Sequence, residues 1–460
     1  MRKIRLPERA FLVQICALAL PMALNNLINT AVMTADTMML GRVGEKVLSG
    51  ASLGGQIYFI LSLFLFGSCS GASVLMAQYW GKHDMTSLEK IMGIALRITM
   101  SISLLFMAVT LIMPQTLMRI YTHDPEVIEQ GVRYLRIIAF TYPVTAFTST
   151  YLMLIRNIER VTISTVVYTL SLFVNIGGNA VLIFGLLGFP ALGIRGAAVA
   201  TLIARLFELT ITVWYARFRN DDLKVRLRYI LHADPLLWKD FLTYSIYVII
   251  NELLWGTGIS ATSAVMGHLG SDVVAAQSVA DSVRQLAMVV CFGLANATAI
   301  IVGKEIGRED IRRAERYASD LLVISVIFGF LGTVLVLLIR PFIFSLVHFE
   351  AETLGYLRFF LICMAVYTIP GSVDTTVIVG ILRAGGDTKA GLYIDTGFLW
   401  GCAVLLGALT AFVLKLPVKV VYLFLISDEF LKAPVAYWRY RKKIWLRNVT
   451  RDLSGEDALP

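Results

Sequence analysis

Apolar and polar residues follow one another along this chain in long blocks. Twelve apolar runs stand out, roughly 11–39, 50–78, 91–115, 133–155, 163–188, 194–216, 241–266, 277–303, 318–345, 357–382, 391–414 and 416–440. Each is long enough for a helix to cross ~30 Å of hydrocarbon, which takes about 20 residues. The second halves of the first and seventh runs are polar enough to blur where those helices end. The pattern predicts an all-α, polytopic membrane protein with twelve transmembrane helices. The longest polar stretch, 217–240, carries RFRNDDLKVRLR and an Asp234-Pro235 turn and separates six runs from six. It predicts a connector between an N-terminal lobe, 1–225, and a C-terminal lobe, 226–460. The tail after Arg447 reads as disordered.

The two halves repeat each other. At an offset of 226 residues, Gly41, Gly44, Val47, Ser52, Phe66, Gly67, Gly81, Asp84 and Glu89 fall on Gly267, Gly270, Val273, Ser278, Phe292, Gly293, Gly307, Asp310 and Glu315 without a gap. One inserted residue later, Pro114, Pro143 and Arg156 fall on Pro341, Pro370 and Arg383. A period of half the chain is a duplication, not a solenoid. An even number of crossings per half returns the chain to its starting side. The lobes are therefore expected to be related by a pseudo-twofold axis along the membrane normal. Halves related in this way commonly rock about a central cavity, which points to transport.

Composition and charge agree with a membrane setting and add an orientation. Hydrophobic residues make up 57% of the chain and charged ones 16%, far from the soluble average. With Met1 in the cytoplasm, inside segments hold 27 Lys and Arg and outside ones 10. The inside clusters are Arg2, Lys3, Arg5 and Arg9, then Arg217 to Lys239, Lys304 to Arg316, and Arg439 to Arg451. This bias places both termini in the cytoplasm of a plasma (inner) membrane protein. The net charge of +9 follows from it, so no nucleic-acid partner is called for. The first run is too long for a cleaved signal peptide, and the repeat needs it as a span. The five cysteines, Cys16, Cys69, Cys291, Cys363 and Cys402, are scattered through the runs and suggest neither disulfides nor a metal cluster.

Several features read as structural. Gly67 to Gly71 and its repeat mate Gly293 to Ala297 are small-xxx-small faces for close helix packing. Pro21, Pro143 and Pro370 lie inside runs and predict kinks. Gly41, Gly44, Gly267 and Gly270 recur at matched positions of the two halves. In LRAGGDT, Arg383 and Asp387 are four apart and are expected to clasp across the Gly385-Gly386 turn.

Charges inside the runs carry the chemistry. A carboxylate at the bilayer centre costs roughly 2.5–3.5 kcal/mol on insertion scales, so each one needs a reason. Arg205 with Glu208, Asp281 with Arg284, and Asp428 and Glu429 with Lys432 have same-face partners at helical spacing. Asp36, Glu252 and Asp374 have none within their own helices. They must pair across helices, stay protonated or bind a cation. Asp395 either reaches the cytoplasmic surface or stays buried. Asp36 either lines the cavity side of the first helix or sits at the outer mouth. At the repeat offset, Asn25-Asn26 faces Asn251-Glu252, Asp374 faces Phe147 and Asp36 faces Thr262. The second half thus holds two unpaired acids at similar depth. Two acids in one buried site would share a proton or a cation near neutral pH, so Glu252 and Asp374 are the expected coupling pair. They would hold Na⁺ through oxygen ligands if sodium is the ion.

ADTMMLGRVG at 35–44, its echo VMGHLG at 265–270 and LRAGGDT at 382–388, together with the two six-helix halves, resemble multidrug and toxic compound extrusion (MATE) transporters over essentially the full length. The resemblance implies a V-shaped pair of lobes and export of organic, often cationic, compounds in exchange for Na⁺ or H⁺. In the NorM-like branch the cation site is ascribed to acids in the seventh and tenth helices, which match Glu252 and Asp374. The acid ending the first helix matches Asp36. The DinF-like branch pairs an Asn with an Asp one turn later in the fifth helix. Here Asn175 and Asn179 stand at those places, which favours the NorM-like reading.

The expected function is therefore a cation-coupled antiporter with small organic substrates, membrane lipid around it, no cofactor beyond the coupling ion, and a monomeric state. The alternative is a flippase for a lipid-linked or polysaccharide precursor, which commonly has more spans and a basic cavity. An enzyme would want a His, Ser or metal constellation near the interface, and the sequence offers none.

Overall fold

The computed structural model describes residues 9–347 and 349–452. Arg2, Lys3 and Arg5 of the first basic cluster, and residues 453–460 of the tail, lie outside the described residues. Among the described residues every regular element is helical. The helices are α1 (Arg9–Gly41), α2 (Glu45–Lys82), α3 (Met85–Ile112), α4 (Pro114–Tyr121), α5 (Pro125–Ile138), α6 (Thr141–Leu154), α7 (Thr162–Phe184), α8 (Ile194–Phe218) and α9 (Leu227–Leu231). They continue with α10 (Pro235–Gly267), α11 (Ser271–Gly307), α12 (Ile311–Leu346), α13 (Ala351–Thr375), α14 (Thr388–Phe398), α15 (Leu405–Ala408), α16 (Val418–Leu425) and α17 (Ser427–Arg441).

All twelve apolar runs are helical. Among the described residues, nine helices are long and apolar enough to cross a membrane, and the α5–α6 pair, bent by 53°, makes a tenth. The remaining two runs are α10 and the α16–α17 pair. They are more polar because they carry Asn251 and Glu252, and Asp428, Glu429 and Lys432. The bend in the fourth run falls between Ile138 and Thr141, just before Pro143, which has no N–H to donate to the Ala139 carbonyl and whose ring crowds that turn. Pro21 and Pro370 lie within α1 and α13. After Thr375 the α13 helix widens into π-helix over Thr376–Leu382, and α14 does the same over Leu399–Val404 and Leu409–Val413.

The chain divides into two compact units. One gathers α1 up to Ala23, α2 from Ser73 to Asp84, and the chain from Tyr244 onward. Its core runs from Val265 and Met266 through Leu357, Phe360 and Leu361 to Tyr422 and Ile426. The Phe360 and Tyr422 rings stack there at 3.8 Å. The other unit holds residues 24–72 and 85–243. Its core joins Ile57, Leu61 and Leu65 of α2 to Leu135, Tyr142 and Ala146 of α5 and α6.

The duplication reaches the backbone. α1 ends at Gly41 and α10 at Gly267. The turns that follow need positive φ at Gly44 (+157°) and its mate Gly270 (+130°), conformations that L side chains resist. His83 (φ +62°) and its mate Glu309 (φ +63°) also match. In the first unit the ends of α2 and α11 cross with no side chain between them. A Cβ at Gly81 would lie 2.0 Å from the Lys304 carbonyl oxygen, and one at Gly307 would lie 1.9 Å from that of Gln78. Lys304 and Gln78 are themselves repeat mates, so the crossing is self-complementary.

The tail after Arg447, expected to be disordered, is held as far as Asp452. Trp445 is fully buried. The Gln78 amide donates to the carbonyls of Ala384 (2.7 Å) and Arg447 (3.1 Å) and accepts from the Val449 N–H (2.8 Å). The Arg451 N–H reaches the Tyr79 hydroxyl at 3.0 Å, and Lys82 pairs with Asp452. Polar side chains at the end of α2 supply this order, which the tail's own composition does not show.

Candidate functional site

Each unit contains one polar cluster inside its helices. In the unit of residues 24–72 and 85–243, a cavity of about 420 Å³ is lined by α1, α2, α5, α7 and α8. Asp36 of α1 is among the residues that line it. Its carboxylate accepts from the Asn179 amide, which also donates to the Asn175 carbonyl oxygen at 3.2 Å. The Asn175 amide in turn donates to the Thr201 hydroxyl at 3.4 Å. Asn175 and Asn179 share a face because they are four apart on α7. The Asn179 amide oxygen is buried and receives no hydrogen bond from the described residues. On the same wall, Arg205 forks onto Glu208 at 2.7 and 2.9 Å, the i,i+3 pair that spacing predicted. Arg205 is therefore neutralised within its own helix. Asp36, held by an amide, keeps its charge unpaired.

The other cluster lies in the unit that contains α10 to α17. Glu252 of α10 accepts from the Arg383 guanidinium at 2.8 Å. Asn251, next to it, donates to Asp395 at 3.1 Å and accepts from Thr396 at 3.3 Å. Lys432 of α17 is bound by Asp395 at 2.8 Å and Glu429 at 2.6 Å, with Asp428 at 3.9 Å. Asp395 is thus an internal ion-pair partner, with 14% of its side chain still exposed. Asp374 is 1% exposed, and neither of its carboxyl oxygens receives a hydrogen bond from the described residues. The Glu429 carboxyl faces it, and Glu429 Oε2 likewise has no donor. A proton placed between the two carboxyls would join them.

Glu252 and Asp374 therefore stand at opposite ends of one network and do not form an isolated pair. Glu252 is countered by Arg383, a residue 131 positions away. Asp374 forms no ion pair among the described residues and feels the Lys432 ammonium only at longer range. Five acids, Glu252, Asp374, Asp395, Asp428 and Glu429, meet two bases, Arg383 and Lys432. Charges this deep are costly unless neutralised, and here the acids outnumber the bases. Asp281 and Arg284 pair at 3.4 Å as their spacing predicted, and they share a small cavity of about 60 Å³ with Asp428 and Glu429.

The clasp expected between Arg383 and Asp387 turns outward instead. Arg383 goes to Glu252, and the Asp387 carboxylate is forked by Arg439 of α17 at 2.7 and 3.0 Å. The π-helical stretch 376–382 helps set this geometry. Nine residues at about 100° each would put Asp374 and Arg383 on opposite faces of a straight α-helix. A π turn winds less per residue, which carries Arg383 toward the network.

Sequence reasoning missed three members: Arg383 as the partner of Glu252, Lys432 as the bridge to Asp395, and Glu429 beside Asp374. For Lys432 the sequence showed only its same-face spacing with Asp428 and Glu429. Gly41, Gly44, Gly267 and Gly270 lie at helix ends and turns, apart from both clusters.

Comparison with known proteins places this architecture. The MatE family profile matches residues 21–181 and 247–413. A "Probable multidrug resistance protein NorM" of Mesorhizobium japonicum is 28% identical over 86% of each chain. A "Probable multidrug resistance protein YoeA" of Bacillus subtilis is 26% identical over 84% of this chain and 83% of its own. A solved structure described as the outward-facing conformation of a multidrug resistance MATE family transporter of the MOP superfamily superposes with a TM-score of 0.85. It is 17% identical and covers 95% of this chain and 96% of that one. At that identity the likeness is one of fold.

Proposed function

This chain belongs to the MatE family, and from that premise we propose that it exports small organic compounds, many of them cationic, in exchange for a cation. It is a multi-pass membrane transporter of a family whose members are not enzymes. In this reading the lobes 1–225 and 226–460 alternate access as a monomer, with both termini in the cytoplasm, as the Lys and Arg distribution favours.

One observation carries the coupling. Asp374 and Glu429 are buried carboxyls turned toward each other with no base committed to Asp374. Adding a proton relieves their repulsion, and losing it restores the strain. Proton occupancy can therefore bias the helices that carry them, α13 and α17. Reciprocal linkage then makes drug binding and proton binding compete. Glu252 becomes a positioning residue, because Arg383 already balances it.

The proton is the better supported ion. Lys432 presents an ammonium to Asp395 and Glu429, the oxygens a sodium ion would seek. Asp36 in the 420 Å³ cavity is the secondary acid, placed where an organic cation would lodge. A flippase for anionic lipid-linked precursors would want a basic cavity, whereas here the one arginine on that wall is neutralised by Glu208.

Proteoliposomes given an imposed pH gradient, and separately an imposed Na⁺ gradient, should move a fluorescent organic cation against its concentration gradient in the first case only. Movement driven by Na⁺ alone would overturn proton coupling. Movement independent of both gradients would overturn antiport.

A further inference from the structure

The inner clusters are not the only charged construction. A second cavity, of about 590 Å³, opens between α4, α5 and the start of α8, and is lined by Arg119, Arg133, Arg136, Arg195, His123 and Glu129 among others. That volume lies within the range of small-ligand sites. Arg133 is taken by Glu129, four residues before it. Asp124, at the start of α5, is taken by Lys46. Arg119, Arg136 and Arg195 have no hydrogen-bond or ion-pair partner among the described residues. Three exposed guanidiniums from three helices thus line one space.

Two further observations say what fills it. First, the place is unusual for arginine. These four arginines belong to the sparse set on the outer side in the orientation proposed above. In the corresponding stretch of the second half, Arg340 and Arg358 are spent on the Phe344 ring, at 5.4 and 5.6 Å. The first half leaves three of its four open. Second, the rim is apolar. α4 is one short amphipathic helix after the end of α3, and Ile112 and Ile120 beside it are 77% and 71% exposed. Exposed isoleucines flanking unpaired arginines fit a helix lying at the boundary of acyl chain and headgroup.

We propose that this cavity binds the phosphate of an anionic phospholipid headgroup. Guanidinium forks match phosphate oxygens two by two, and the acyl chains would run along Ile112 and Ile120. The same donors would accept free phosphate, and the apolar rim is what favours the lipid. Which leaflet supplies the lipid follows from the proposed orientation. Binding itself does not depend on it, nor on the coupling ion.

The test uses the purified full-length protein in neutral detergent. Native mass spectrometry and thermal shift would follow titration with short-chain phosphatidylglycerol, short-chain phosphatidylcholine and inorganic phosphate. One phosphatidylglycerol should be retained in preference to phosphatidylcholine, with no comparable effect of phosphate. Arg119→Gln, Arg136→Gln and Arg195→Gln should each weaken retention about fivefold, and the triple variant about a hundredfold. Arg42→Gln, exposed and outside the cavity, should leave it unchanged, and the melting temperature of each lipid-free variant checks folding. Equal retention of both lipids, or undiminished retention by a folded triple variant, would overturn the site. Phosphate binding as strong as the lipid's would overturn the lipid as its occupant.

Discussion

The two inner clusters solve the same problem in opposite ways. The first half places one unpaired acid, Asp36, among amides and a hydroxyl on the wall of a 420 Å³ cavity. The second packs five acids around two bases beside about 60 Å³ of free space. The scaffold is shared by duplication, so the difference lies in particular substitutions. Asn25 donates to Ser164 at 3.0 Å and simply joins helices. Its mate Asn251 reaches Asp395 in the charged network, and Glu252 stands where the first half has Asn26. A single acid beside space suits transient contact with a passing solute. A crowded set of acids suits a stored proton, because each member changes the cost of charging the others.

The largest effect should come from the acid of the second cluster that forms no ion pair. Asp374→Asn removes the titrating group while keeping shape. Gradient-driven export should fall to background, with membrane yield and drug binding intact. Glu429→Gln should behave in the same way. Normal export from either variant would remove it from the coupling step and break the contrast between the halves.

Charge removal from the bases should show as stability. Lys432→Met leaves Asp395 and Glu429 facing each other unpaired, and should cost about 3–5 kcal/mol, read as a lower melting temperature in detergent. Arg383→Gln should come next, at about 3 kcal/mol. It strands Glu252, and Glu252→Gln in the same chain should recover most of the loss. Substrate selectivity should change less than yield. An Arg383→Gln protein of normal stability and altered selectivity would turn the LRAGGDT arginine into a substrate contact.

The smallest effect belongs to the first half. Asp36→Asn loses hydrogen bonding worth about 1 kcal/mol, and should slow export while sparing any proton-linked protection measured in α13 and α17. Complete loss of proton coupling would move the primary acid to Asp36 and invert the comparison.

What could be read in the sequence follows from distance along the chain. Pairs on one helix, Arg205 with Glu208 and Asp281 with Arg284, were visible because helical spacing alone brings them together. The match of Gly44 with Gly270 was visible because the duplication repeats it, while the turns themselves were not. Glu252 with Arg383, Asp395 with Lys432, and Asp387 with Arg439 were not. Each needs the rotation and depth of one helix against another, and the π-helical turns after Asp374 and Phe398 alter that rotation in ways apolar periodicity does not register. The ordered tail escaped for a related reason. Its hydrogen bonds come from Gln78, Tyr79 and Lys82, more than 360 residues earlier.

The crossing of α2 and α11 has a consequence for motion. Gly81 meets the Lys304 carbonyl and Gly307 meets that of Gln78, so backbone lies on backbone. Most helix contacts interlock side chains, and parting them frees rotamers that must be frozen again on return. Two glycines have no rotamers to lose. Such a seam can separate and re-form with little entropic hysteresis, and its closed spacing is fixed by main-chain geometry alone. A methyl group at either position would wedge it open, and by the repeat the damage from Gly81→Ala and from Gly307→Ala should be alike.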